Sequence, residues 1–460
     1  MTASIGKASS RPIPGPPREY RFPNFERRRL PNGLQLVVAS VSKLPVVTVA
    51  VVADAGAICD PAGQEGLAHL VVRLLLEGTA TSDGAELTER LERLGASVEA
   101  AADWDSATVT MTALTENLPA AFAILAELLR TPSFRDREVE RLRAERLAEL
   151  LQLRTEPRGL ADELFARFLY ERTSRYCVPE GGDEESIAAI ARRDVQSFFE
   201  ARFVPAATTL VVVGDISAPV AANLAVSTLG GWTGVSPAKA QTVDRPARTE
   251  RAVHIVAKAE APQSELRVGH VGIPRTHPDY FPTVVMNAVL GGLFNSRINL
   301  NLREAHGYTY GAFSSFDWRR QAGPFVVSTA VKSEATEASA REILKEIDRI
   351  RSTPIGDDEL SLATSYLAGV FPIHYETTSA IAAALARLII YDLPADYYDR
   401  FRERVRAVTS LDVLSAAERH LYPESLQTVI VGDPQIVRGT LESSIFGPVR
   451  IYDTQAQPST

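Results

Sequence analysis

The chain is written twice. An apolar, β-branched run closed by Gly-Asp, "PAATTLVVVGDIS" (Pro205 to Ser217), has a counterpart in "PESLQTVIVGDPQ" (Pro423 to Gln435). Each reads as a buried strand ended by a turn. Each follows a helical segment, "RRDVQSFFEARF" in the first case and "SLDVLSAAERHLY" in the second. Upstream, "ASVEAAADWDSATVTMTAL" and "GYTYGAFSSFDWRRQAGPFVVSTAV" both read as paired strands with two-residue alternation. "LAELLRTPSFRDREVERLRAERLAELL" and "IDRIRSTPIGDDELSLATSYLAGVF" both read as a helix, a break, an acidic turn and a long helix. The copies lie about 220 residues apart, far beyond any solenoid period, so the unit repeated is a whole domain.

Within each copy the strands sit close enough for hairpins and the helices come in irregular order. That pattern predicts an α+β fold: two homologous domains, each a largely antiparallel or mixed sheet packed with helices. The expected boundaries are an N-terminal arm over 1–25, a first domain over 26–229, a linker over 230–250, a second domain over 251–450 and a tail over 451–460. The arm is polar and Pro-rich and is expected to be disordered or extended. The join is rich in Gly, Pro, Thr and charge, as linkers are.

Charge narrows the partners. With 49 Lys and Arg against 57 Asp and Glu, the net charge is −8, which argues against nucleic acid. No apolar run reaches a membrane span; "LPVVTVAVVADAGA" is too short and too β-branched. The N-terminus lacks the apolar core of a secretion signal, so the expected location is the cytoplasm. Two cysteines, Cys59 and Cys177, form no CxxC and are expected as buried, reduced thiols.

One helix carries a chemical signal. In "GLAHLVVRLLLEGT" (Gly66 to Thr79), Leu67, Leu70, Val71, Leu74 and Leu75 recur at helical spacing, and Gly78 supplies a stop. His69 and Arg73 share another face, four residues apart. An H-x-x-E-H helix would place two imidazoles and a carboxylate base there, the inverted zinc-peptidase motif. Here Val72 stands at the Glu position and Arg73 at the second His.

"LPNGLQLVVAS" followed by "GQEGLAHLVVRLLLEGT" resembles the insulinase/pitrilysin family, and within it a processing-peptidase-like bacterial branch. The resemblance spans the chain past the arm, duplication included. It implies that the family's third ligand, a Glu downstream, falls on Glu149, just before "RTEP". Arg73 offers no lone pair and stays protonated. Against a dication at contact range its charge costs several kcal/mol, even at an effective dielectric of ~20. Val72 cannot deprotonate a water. The motif, at positions His69, Val72, Arg73 and Glu149, is therefore degenerate through Val72 and Arg73, and no metal or other cofactor is expected on this chain. Arg73 is expected to serve as counter-charge to Glu149. His69 is expected to be a hydrogen-bonded helix residue. The seven histidines (His69, His254, His270, His277, His306, His374, His420) contain no H-x-H or H-x-x-x-H pair that would replace the site. The acidic and basic run from Arg135 to Glu149 reads as a solvated helix face.

The second copy holds a different constellation. "GGLFNSRINLNLREAHGYTYGAFSSF" reads as a helix ending near Ala305 or His306, stopped by Gly307, with a strand following from Tyr308. It resembles the family's L-R-E-x-x-G-x-x-Y element. The resemblance implies that Arg303 and Tyr310 bind substrate backbone beside zinc held by another chain. Arg is a permanent forked donor for a peptide carbonyl, and Tyr a neutral donor for a developing oxyanion. The expectation is a non-catalytic, substrate-binding subunit, inactive alone. Its partner would be a zinc-bearing homologous subunit in a heterodimer, and its substrate a peptide or unfolded polypeptide. The alternative is a self-associating pseudopeptidase that scaffolds or binds peptides without hydrolysis; a third is a hydrolase with a site of another kind.

Overall fold

A computed structural model of the chain describes residues 19–238, 249–442 and 445–459. The first sheet contains β1 (Glu26–Arg29), β2 (Gln35–Ser40), β3 (Val46–Ala53), β4 (Ser97–Ala102), β5 (Ala107–Leu114) and β6 (Thr208–Gly214). The second contains β7 (Ala252–Ala257), β8 (Gln263–Val271), β9 (Thr309–Phe316), β10 (Pro324–Lys332), β11 (Gln427–Gly432) and β12 (Val449–Tyr452). Their orders are β1-β2-β6-β3-β5-β4 and β12-β7-β11-β8-β10-β9. Five positions correspond one to one. The central strands β6 and β11 are the two "VVVGD" and "VIVGD" runs, buried throughout as strands covered on both faces must be. Each pairs in parallel with the first long strand of its domain and antiparallel with the next. Both sheets are mixed and mainly antiparallel.

The sixth position breaks the symmetry. β1 enters from the N-terminal side and pairs antiparallel with β2, whereas β12 comes from the C-terminus and pairs parallel with β7. The expected tail over 451–460 is therefore corrected: Ile451 and Tyr452 are strand residues, and Tyr452 is buried and bridges to Pro458. The short "VRIY" run was too brief to stand out by pattern. Of the expected arm, residues 1–18 lie outside the described residues, but Phe22 is buried against the second domain. Its ring stacks on Tyr398 at 4.6 Å, an apolar contact that fixes this stretch in an extended path. Of the expected linker, 239–248 lie outside the described residues.

The two halves exchange helices. The helix Pro157–Leu169, from the first half, packs on β8 and β11 of the second sheet; the helix Thr378–Ile390, from the second half, packs on β3 and β6 of the first. Polar contacts fix the exchange. Arg267 on β8, 2% exposed, reaches Asp162 at 2.5 Å, and Thr48 on β3 bonds Thr378 at 2.8 Å. Cys59 and Cys177 are buried thiols, and burial pushes Cys59 up to about 11. Among the described residues no helix is long and apolar enough to cross a membrane.

Candidate functional site

The motif helix runs Leu67–Leu75. Its start is built by Gly66, whose φ of 93° suits glycine, and where a Cβ would meet the Gly181 carbonyl at 2.7 Å. Asp60, fully buried, accepts the Gly66 and Ala68 N–H groups at 2.7 and 2.8 Å and the Arg175 guanidinium at 2.9 Å. This buried pair satisfies the helix's first donors, and sequence spacing gives no sign of it. Leu67, Leu70, Val71, Leu74 and Leu75 are buried, as the periodicity predicts. So is Val72, 1% exposed, which takes the general-base position into the hydrophobic core.

On the other face, Arg73 donates to Glu149 at 3.2 Å and to Glu145 at 2.7 Å. Arg146 donates to the second Glu149 oxygen at 3.0 Å. Burial alone would raise Glu149, but the two guanidinium groups hold its carboxyl below the usual range. His69 has no hydrogen-bond partner for its ring among the described residues, which corrects the expected hydrogen-bonded role. Burial, then Arg146 and Arg73, push its pKa down to about 4, so it is a neutral, semi-buried imidazole. The family's zinc does not fit here. A guanidinium stands in the place of the second imidazole and already occupies the third ligand's oxygen.

The helix Asp136–Thr155 also departs from a simple solvated face. Arg141 and Glu138 do pair along it, but Arg146 turns inward to the Gly181 carbonyl and to a cavity of about 570 Å³ between the halves. Glu163, Glu180, Asp105, Trp318 and Arg319 line the same cavity. Burial raises Glu163 and Glu180 and takes Asp105 to about 6. This acid-rich, aromatic-walled cavity draws on segments scattered over the whole chain, so no local motif announces it.

The second constellation lies elsewhere. Arg303 sits on a wide π-type turn, Leu300–Ala305, ended by Gly307 at a φ of 64°. Its guanidinium lies 4.4 Å over the Phe294 ring and 3.4 Å from Glu304, and its Nη1 is buried without a hydrogen-bond partner among the described residues. Tyr310 is 92% exposed near the start of β9, an outer strand of its sheet. It borders a groove of about 400 Å³ with Arg158, Glu265, Phe313 and Thr329. Arg303 does not line that groove; it lies against Phe294 and Glu304 instead. The corresponding outer strand of the first sheet is β4, whose side chains alternate between exposed and half-buried.

Two domains of one plan, with a guanidinium seated where an inverted zinc helix would hold its second ligand, define a peptidase-like protein. The chain belongs to the insulinase family, peptidase family M16. Residues 36–175 match the family's "Insulinase (Peptidase family M16)" domain and residues 189–367 its "Peptidase M16 inactive domain". It is 20% identical over 356 residues to an uncharacterized zinc protease of Bacillus subtilis, covering 77% of this chain and 86% of that protein. It is 25% identical over 454 residues to the mitochondrial-processing peptidase subunit alpha of Homo sapiens, covering 90% and 84%. The crystal structure of a peptidase M16 inactive domain from Pseudomonas fluorescens shares the fold, with a TM-score of 0.83 at 24% identity over 89% of this chain and 98% of that one.

Proposed function

We propose that this chain is the non-catalytic, substrate-binding subunit of a heterodimeric zinc metallopeptidase, paired with a homologous subunit that holds the zinc. The observation that carries the reading is Tyr310: a phenol 92% exposed on an outer strand, with no intramolecular partner for its hydroxyl among the described residues. A hydroxyl so placed donates to an oxyanion developing on a bound peptide. Arg303, its side chain 32% exposed, offers its guanidinium to a neighbouring carbonyl. An extended peptide adds to an outer strand, β4 or β9, through main-chain hydrogen bonds. Support for a homologous partner comes from the likeness to a protein named as a subunit of a processing peptidase.

The test is peptide cleavage by this chain, by a zinc-bearing homologue from the same source, and by their mixture. Activity confined to the mixture, and lowered by Arg303→Ala and Tyr310→Phe, supports the reading. Full activity of the homologue alone overturns it. Self-association with peptide binding but no hydrolysis in the mixture favours the scaffold alternative.

A further inference from the structure

The second domain brings together three side chains that the sequence keeps far apart. His277 and Asp279 precede the helix Tyr280–Asn287, and His420 closes the helix Ser410–His420. One ligand atom from each lies within 4.8 Å of the others. Asp279 Oδ2 is 2.7 Å from His420 Nε2 and 3.9 Å from His277 Nδ1. The two imidazoles meet edge to face at 4.8 Å. From this geometry we infer that His277, Asp279 and His420 form a binding site for a divalent transition metal of the zinc or cobalt class, separate from the degenerate motif helix.

The donor set selects the ion. Two imidazoles and one carboxylate suit zinc, cobalt or nickel, whereas magnesium and calcium take oxygen ligands. Bonds of about 2.0–2.2 Å to a tetrahedral zinc put ligand atoms roughly 3.3 Å apart, between the two separations found around Asp279. The surroundings favour the charges: Asp279 sits at a helix N-terminus and His420 at a helix C-terminus, where dipoles stabilise an anion and a cation respectively. His420 is 7% exposed and its Nδ1 has no partner among the described residues, so its polar contact is made at Asp279. His277, 31% exposed, leaves the fourth position open to water.

Three contacts compete with the ion, the first being the 2.7 Å hydrogen bond between His420 Nε2 and Asp279 Oδ2. The Asp279 N–H donates to His277 Nδ1 at 3.1 Å, and Arg419 Nη1 forms an ion pair with Asp279 Oδ2 at 2.9 Å. Arg419 is 56% exposed, and an ion pair open to solvent on one side is weak, so it yields readily to a dication. The metal then joins the entrance of one covering helix to the exit of another.

The inference stands apart from the proposed function and is tested on the full chain without a partner. After removal of metal with a chelator, zinc uptake is followed by calorimetry and cobalt uptake by visible absorption. The expected result is one ion per chain, with the intense visible bands of tetrahedral cobalt. Affinity should fall at least tenfold in His277→Ala, a change at a half-buried position outside the core, and in Asp279→Asn. Arg419→Gln should tighten binding several-fold, and His69→Gln should leave it unchanged. Absence of uptake by the wild-type chain at micromolar free zinc, or uptake that survives both His277→Ala and Asp279→Asn, overturns the assignment.

Discussion

The motif helix of the first domain and the Arg303–Tyr310 segment of the second are both built from arginines and their neighbours, with opposite outcomes. Around Arg73 every charge is answered within the chain: Glu145 and Glu149 take the guanidinium, Arg146 takes the remaining Glu149 oxygen, and Val72 closes the core side. Around Arg303 the account stays open, with one buried nitrogen unpartnered among the described residues and Tyr310 standing out in solvent. Charge neutralised internally has little left to offer a ligand. A hydroxyl standing out in solvent does, and that difference directs attention to Tyr310 in the second domain.

The comparison breaks most visibly at the support of the first helix. Asp60→Ala leaves Arg175 buried without its carboxylate and should cost about 3–5 kcal/mol in denaturant unfolding. A loss under 1 kcal/mol would mean that the helix entrance is held by packing instead. Next comes Tyr310→Phe, which should lower turnover of the two-subunit mixture about 10²-fold while leaving the unfolding midpoint in place. Equal losses from Tyr310→Phe and Arg73→Ala would erase the contrast between the regions.

His69 gives a pH signature. Its folded pKa of about 4 lies below the ordinary 6.5, so the unfolded chain takes up the proton first. Its contribution is complete above pH 6.5 and declines as pH falls toward 4. His69→Gln should flatten that part of the stability–pH curve, and an unchanged slope would assign the acid sensitivity elsewhere. The smallest effect is expected from Arg73→Ala: Arg73 and Glu149 are partly exposed, and such pairs are worth about 0–1 kcal/mol. Thermal unfolding checks this, and peptide turnover of the mixture should stay within about two-fold of wild type.

Much of this was legible in advance because strong local patterns coincide with strong burial. The two Gly-Asp strands, the hairpins and the periodic leucines of the motif helix all follow from patterns that buried strands and helices impose. The contact of Arg73 with Glu149 was reachable only through resemblance, since nothing local joins residues 76 apart. What stayed hidden depends on long-range placement. Asp60 meets Arg175 across 115 residues, and the cavity between the halves draws on several segments. Phe22 and Tyr452 escaped because each belongs to a stretch too short for periodicity to register.

The exchanged helices bear on how such a chain holds together. Each half covers its sheet with a helix borrowed from the other, through equivalent strands. The two halves are thus related as the copies of a domain-swapped dimer are, but on one polypeptide. Fusion replaces an encounter between molecules by a local concentration in the millimolar range. Residues 19–238 and 249–460, produced as separate polypeptides, should therefore be insoluble singly and recover the native circular dichroism when refolded together.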